Sequence, residues 1–413
     1  MNITKNFNFV EGFAVRPNAF YTLTLIFIIY LLDYADRKVM SALFPFIQAE
    51  WGISDAQCGM LNGIVSLMIA VFVIPMSILV DRWSRKKMIS LMVFVWSIAT
   101  LLCAFADNYT QLLIFRALTG LGEAAYAPAA IALLSKIFPT KYRATYIGIY
   151  DAASPIGAGI GIMLGGYIGT VYGWQHAFGI LAIPGLLFSF LFLFVNDYAT
   201  IQTQVKTVRE TIHSIVQTVI SLCKIKVLWI LYVAYGLCIG VSACILDWIP
   251  SFLHRVHGLN EKEAGLASGI IAVSVLIGAP SGGFFADRWS KRQKHAKMYV
   301  SAFSTLLSAV FLFCAVQSTT LTSTMIFLGL FGVCTVAFLA PVTSIIQEIV
   351  ATNVRALAFG INVMIMNTMG AFAMPVLIGK ISDRYDLQIA LSLLPVVAVV
   401  AAVLFWRSRK MIR

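Results

Sequence analysis

The sequence predicts an all-α membrane protein, twelve transmembrane helices set as two pseudo-symmetric six-helix bundles, and three observations carry that expectation. Of its 413 residues 60% are hydrophobic and only 12% charged, where a soluble domain averages about 45–50% and about 25%. That leaves too few polar side chains to cover a water-soluble globule, which excludes soluble enzymes, disordered chains and disulfide-rich secreted scaffolds. The apolar residues gather in continuous runs near the roughly 20 residues that cross a bilayer as a helix. Outer-membrane strands would instead need alternating segments of about ten residues. Third, a charged loop motif recurs half a chain later.

The elements follow in chain order. Residues 1–19 carry Lys5, Glu11 and Arg16 and no apolar core, so they read as a cytoplasmic N-terminus rather than a signal peptide. Apolar runs between charged or Pro/Gly-rich breaks place six spans near 20–46, 57–80, 88–106, 110–137, 144–171 and 175–196, an N-terminal bundle over 20–196. The polar stretch 197–225, with Lys206, Arg209, Glu210 and Lys224, reads as a cytoplasmic linker. Six more spans lie near 226–253, 263–286, 297–316, 320–347, 356–381 and 387–406, a C-terminal bundle over 226–406, and 407–413 form a cytoplasmic tail.

Orientation comes from the basic residues. Arg82, Arg85, Lys86 and Lys87 follow span two, and Arg288, Lys291, Arg292, Lys294 and Lys297 follow span eight. The opposite loops hold only Arg255, Lys262, Lys380 and Arg384. This asymmetry sets both termini inside a cell membrane, as a multi-pass protein of a bacterial inner membrane. The net charge of +12 then reflects that rule and attraction to anionic headgroups; no nucleic-acid partner is expected. The seven cysteines include no Cys-x-x-Cys pair and read as small buried apolar residues.

The repeat is specific. Asp81-Arg82-Trp83-Ser84-Arg85-Lys86 follows span two and Asp287-Arg288-Trp289-Ser290-Lys291-Arg292 follows span eight. Arg143 and Gly148 at the start of span five are echoed by Arg355 and Gly360 at the start of span eleven. Repeats of this kind mark a duplicated transporter fold. The Asp-Arg-x-x-Arg-Lys loop resembles the signature of the major facilitator superfamily, with Ser77 and Ser84 where that pattern has glycine and Gly283 kept in the second copy. Asp81 would face the N-terminus of a partner-half helix, whose dipole favours its charge, while Arg82 and Arg85 pair across the cytoplasmic seam. Asp81, Arg82, Arg85, Asp287 and Arg288 are thus gate candidates, supported by Asp151 in span five and by Arg355, expected to pair with Glu348.

Charges within spans are the informative residues, because each Asp, Arg or Lys at a helix centre costs about 2.5–3.5 kcal/mol on insertion scales. Span one carries Asp33, Asp36, Arg37 and Lys38, and span four Arg116 and Glu123. Unpaired, the six would cost on the order of 15 kcal/mol, more than the stability of many domains, so they pair or line a wet cavity. Arg116, Gly120 and Glu123 share one helix face, with Gly120 leaving space for a neighbour or ligand; Asp33, Asp36 and Arg37 share a face of span one. A proton and an anion would compete for, or jointly satisfy, the same positive charges. Lys38, near a helix end, is expected to snorkel.

Asp36-Arg37 with Arg116-x-x-x-Gly120-x-Gly122-Glu123-Ala124 resembles the anion:cation symporter branch of the superfamily, carriers of sugar acids and organic anions. Gly122-Glu123-Ala124-x-Tyr126 with Pro184-Gly185 is equally similar to spinster-like lipid transporters. The first resemblance implies that Asp36 and Glu123 take protons and that Arg37 and Arg116 hold the anion.

Tyr150, Tyr235, Asn362 and Asn367 are further candidate substrate contacts, with interhelical hydrogen bonding as the alternative role. Asp247-Trp248 reads as an interfacial anchor. His254 and His257 lack an acidic or thiol partner, so no metal site is expected, and the glycine run of span five reads as helix packing. No nucleotide-binding loop is present. The function expected is a proton-coupled secondary transporter of a small organic anion by alternating access, a monomer with no cofactor besides the coupling proton. One alternative is an exporter or flippase of a lysolipid, lipid metabolite or drug, for which Phe359, Met364, Met366, Met369 and Phe372 would supply an apolar wall. The other is a non-transporting nutrient sensor, against which the short tail speaks. An intramembrane enzyme using Asp33-x-x-Asp36 lacks a second acidic motif.

Overall fold

The computed structural model describes residues 19–82, 84–124, 126–139, 142–196, 219–222, 224–351 and 354–411. Among them twelve helices are long and apolar enough to cross a membrane. They are α1 (Ala19–Trp51), α2 (Asp55–Ser77), α3 (Arg85–Cys103), α4 (Tyr109–Ile137), α5 (Thr145–Tyr172) and α6 (Trp174–Phe192), then α7 (Lys226–His257), α8 (Glu261–Ser290), α9 (Ala296–Gln317), α10 (Leu321–Ile349), α11 (Leu357–Arg384) and α12 (Leu387–Met411). They match the twelve apolar runs of the sequence, differing at the ends. Most of the expected linker, 197–218, lies outside the described residues.

Five helix starts fall where the sequence supplies a side-chain acceptor for an orphan N–H. Ser84 caps α3, Asn108 caps α4, Thr320 caps α10 and Asp386 caps α12. Asn260 and Glu263 form a reciprocal capping box on α8. Two helices break internally at matching places. α4 stops after Glu123 and resumes at Tyr126; α10 stops after Thr335 and resumes at Leu339. Pro128 and Pro341 follow shortly after, and a proline has no N–H to offer the carbonyl four residues back. α11 carries a π-helical stretch over Met366–Ala373.

Small residues bring the helices together. Gly157, Gly161 and Gly165, one turn apart on α5, meet the backbone of Leu31, Ala35 and Val39 on α1, as the glycine run predicts. A Cβ at Gly165 would stand 2.7 Å from the Val39 carbonyl. α5 also crosses to the other half, its Gly159 and Gly166 against Gly269 and Gly265 of α8. α2 meets α11 in the same way, where a Cβ at Gly59 would lie 2.6 Å from the Pro375 carbonyl. The pairs α5–α8 and α2–α11 therefore form the seam between the halves.

One face of the molecule carries the described loop residues 84, 138–139, 142, 291–295, 350–351 and 354 and is the basic face; the other is the far face. The three larger of four hydrophobic clusters among the described residues divide accordingly; the fourth, small one joins Ala42, Ala158 and Ile162 to Ala272 across the halves. One near the far face draws on both halves, including Leu43, Phe44 and Ile47 from α1 and Ile245, Trp248 and Phe252 from α7. Toward the basic face the halves keep separate cores, one built around Ile26, Val93, Leu133 and Phe192, the other around Leu231, Val342, Ile346 and Phe405. The halves are thus sealed together at the far face and cored independently at the basic face.

Candidate functional site

The site grows from the middle of α1, where one turn presents Asp33, Asp36 and Arg37 to different neighbours. Arg37 donates from Nε to Asp33 Oδ1 at 3.1 Å and from Nη2 to Asp33 Oδ2 at 3.2 Å, an i, i+4 pair on its own helix. Glu123, at the break in α4, brings Oε2 within 2.8 Å of the same Nε. The single Nε–H is aimed at Asp33, and among the described residues neither buried oxygen of Glu123 accepts a hydrogen bond. The Tyr34 ring lies 5.0 Å from the Arg37 guanidinium. Tyr34 meets Tyr30 edge-on, and Tyr30 stacks on Tyr150 at 4.3 Å.

A second pair lies on the adjoining side of α1. Arg116 is wholly buried and donates to the backbone carbonyls of Asp36, at 3.3 Å, and Arg37, at 3.4 Å. Its Nη1 stands 3.5 Å from Asp36 Oδ2, which also accepts the Thr100 hydroxyl at 2.9 Å. The structure thus brings together Asp33, Asp36, Arg37, Arg116 and Glu123 as the sequence groups them, and adds Thr100. The cluster holds three carboxylates against two guanidiniums. Arg37, with 21% of its side chain exposed, is the open member; the other four are nearly or fully enclosed.

Arg116, expected as an anion contact, is enclosed behind α1 in this conformation. The space at Gly120 is filled by a neighbour, α2, one of the two expected occupants, since a Cβ there would lie 2.5 Å from the Val65 carbonyl. Three expectations are corrected. Lys38 does not snorkel: it crosses the seam to Asp247 Oδ1 of α7 at 2.5 Å. Asp247 is therefore a buried partner rather than an interfacial anchor, and it also accepts the Ser41 hydroxyl at 3.3 Å. Asn62 donates to Ser41 at 2.9 Å. Glu348 forms its ion pair with Lys297, with Arg355 only within electrostatic reach.

The remaining candidates are spread over both halves. Among the described residues the Tyr150 hydroxyl and both amide atoms of Asn362 are buried without a hydrogen-bond partner. The Asn367 amide donates to Val363 of its own helix at 2.9 Å. Tyr235 is buried edge-on against Phe338 at 5.1 Å. The side chains of Asp81 and Arg82 lie outside the described residues, and Arg85 opens α3. Asp151, Asp287, Arg288 and Arg355 are exposed. Among the described residues none of these four forms an ion pair. His257 bonds Thr324 and His254 bonds the Leu259 carbonyl. Among the described residues no cluster of His, Cys, Asp or Glu could hold a metal.

A far-face latch escaped the sequence. Asp55, at the start of α2, accepts from Arg255 Nη1 at 2.7 Å and Nη2 at 2.6 Å, from Gln48 at 2.7 Å and from Ser382 at 2.5 Å. Asp383 of α11 accepts from the Asp55 and Ala56 amides at 2.7 and 3.0 Å, a carboxylate on the positive end of α2. The charged loop residues were visible in sequence, but nothing there said which residues of the other half they meet.

Comparison with known proteins bears on this arrangement. The family model described as Major Facilitator Superfamily matches residues 26–362. The chain is 26% identical to the protein spinster of Drosophila melanogaster over 389 residues, 90% of this chain and 63% of that one. It therefore spans less than two thirds of that relative's length. It is 26% identical to the hexuronate transporter of Bacillus subtilis (strain 168) over 289 residues, 69% of this chain and 68% of that one. A bacterial homolog of the human lysosomal transporter spinster, crystallised inward-facing and unoccupied, matches with a TM-score of 0.83 at 22% identity, over 96% of this chain and 98% of that one.

Proposed function

This chain belongs to the Major Facilitator Superfamily, a transporter and not an enzyme, and on that premise we propose that it couples protons to the movement of a small organic anion by alternating access. The observation that carries this reading is the charge count at the centre of the N-terminal half. Asp36 balances Arg116, Asp33 balances Arg37, and Glu123 is left over. One proton on Glu123 makes the cluster neutral. An anion on the exposed part of Arg37 adds a negative charge beside Glu123, so each of proton and anion strengthens the binding of the other by the same factor. Glu123 is accordingly assigned the coupled proton and Arg37 the anion. Asp36, expected from the sequence to carry a proton as well, is assigned with Arg116 to a self-balanced pair that braces α1 against α4.

Tyr150, Tyr235, Asn362 and Asn367 are the polar groups assigned to the rest of the substrate. If the basic face is cytoplasmic, this conformation opens inward. Asp81, Arg82, Arg85, Asp151, Asp287, Arg288 and Arg355 would then close that side once Lys38–Asp247 and Asp55–Arg255 part.

Export of a lysolipid is the second reading, favoured by the likeness to spinster. The apolar wall it would use is partly engaged in helix packing: Met369 meets Gly236 of α7 and Phe372 meets Gly63 of α2. The deciding experiment is uptake by purified protein in liposomes, acid outside, with labelled D-glucuronate and a labelled lysophospholipid in parallel. Glucuronate is expected to accumulate only under the gradient. Movement of the lysophospholipid alone would overturn the anion reading.

A further inference from the structure

We propose that Asp33 is the positioning residue that makes Glu123 a proton carrier: it takes the inner donors of Arg37 and leaves Glu123 beside the guanidinium with no N–H donor among the described residues, its carboxyl within hydrogen-bond reach of that of Asp33. The proposal rests on the proton-coupled anion reading. A guanidinium has five N–H donors in a fixed planar fork. Asp33 engages one edge, Nε with Nη2, through two bonds. Glu123 approaches that same Nε from the side, where no hydrogen points. Among the described residues no acceptor takes the hydrogens of Nη1, so the other edge, Nη1 with Nη2, offers a second carboxylate the parallel donors it fits best. Arg37 is thereby divided: its inner edge belongs to Asp33, its outer edge to the substrate, and Glu123 has neither.

The groups around Asp33 make this division depend on Asp33 itself. Tyr30, Asp36 and Arg37 face it along α1, Glu123 and Tyr126 from α4, and Tyr150 from α5. Arg37 is the one cation among them. With Asp33 neutralised, the ionised Glu123 is the stronger acceptor and takes over the Nε–H. Glu123 then becomes the fixed counter-ion and no longer exchanges its proton with the arrival of the anion.

The test is Asp33→Asn beside wild type and Asp33→Glu, each purified, checked for monodispersity and reconstituted in liposomes with labelled D-glucuronate. A gradient of one pH unit lets a one-proton carrier accumulate substrate about tenfold. Asp33→Asn is expected to lose that accumulation and fall to the equilibrium level while keeping glucuronate exchange at equal pH, and Asp33→Glu to recover accumulation. Wild-type accumulation by Asp33→Asn would overturn the proposal and leave the anion reading standing. Loss of exchange in both variants would also overturn it, since Asp33 would then serve the fold. Failure of wild type itself to accumulate glucuronate would remove the anion reading and this proposal with it.

Discussion

In the N-terminal half, α1 and α4 bring three carboxylates and two guanidiniums together inside the span region; in the C-terminal half, α7 and α10 bring almost none. The scaffold is nevertheless duplicated. Both α4 and α10 break just before a proline, at Pro128 and Pro341. Counting back from each proline, Arg116 and Glu123 correspond to Gly329 and Val336. The charge that remains inside the C-terminal half, Asp247, is committed to Lys38 across the seam. The repeat has therefore kept what makes helices break, cross and pack, and has let the ionisable chemistry collect on one side. On the proposed mechanism a rocking transporter needs that much: two matched rigid bodies, one assigned the coupling groups and the other assigned neutral contacts and a latch.

The sharpest way to break this contrast is Arg37→Ala, which leaves Asp33 and Glu123 buried without their cation. Removing one partner of a buried pair costs about 3–5 kcal/mol, so glucuronate exchange should fall by roughly 100- to 4,000-fold. Asp247→Asn attacks the seam instead. It strands Lys38 and should favour conformations open at the far face, raising the maleimide reactivity of Cys58 and Cys244 by about tenfold, read by peptide mass spectrometry. Both thiols are fully buried at present. Asn362→Ala tests the neutral half: loss of one polar contact is worth about 1 kcal/mol, a several-fold rise in the half-saturating glucuronate concentration. Gly148→Ala and Gly360→Ala should change neither transport nor thermal stability, since a Cβ at either position meets nothing within 4 Å.

Those two glycines also show where sequence and structure part. The echo of Arg143-Gly148 in Arg355-Gly360 revealed the duplication, yet neither glycine packs against anything. The glycines that do hold the molecule together, at 157, 161 and 165, are legible from their one-turn spacing alone. The span count followed from hydropathy, and the central charges from the penalty that a bilayer places on them. Their pairing was only half legible. A helix face predicts that Asp33 and Arg37 meet, four residues apart, but Asp36 turns away to Arg116 and Thr100. Lys38–Asp247 and Asp55–Arg255 join residues 209 and 200 positions apart. Such long-range partners depend on which faces of α1, α2 and α7 come together, and no local pattern encodes that.

The central claim is that Glu123 carries the coupled proton while Arg37 holds the anion, and Glu123→Gln separates the two. In liposomes loaded with D-glucuronate, the variant should exchange labelled substrate at equal pH at close to the wild-type rate and show no accumulation under an inward acid gradient. Gradient-driven accumulation equal to wild type would contradict the assignment.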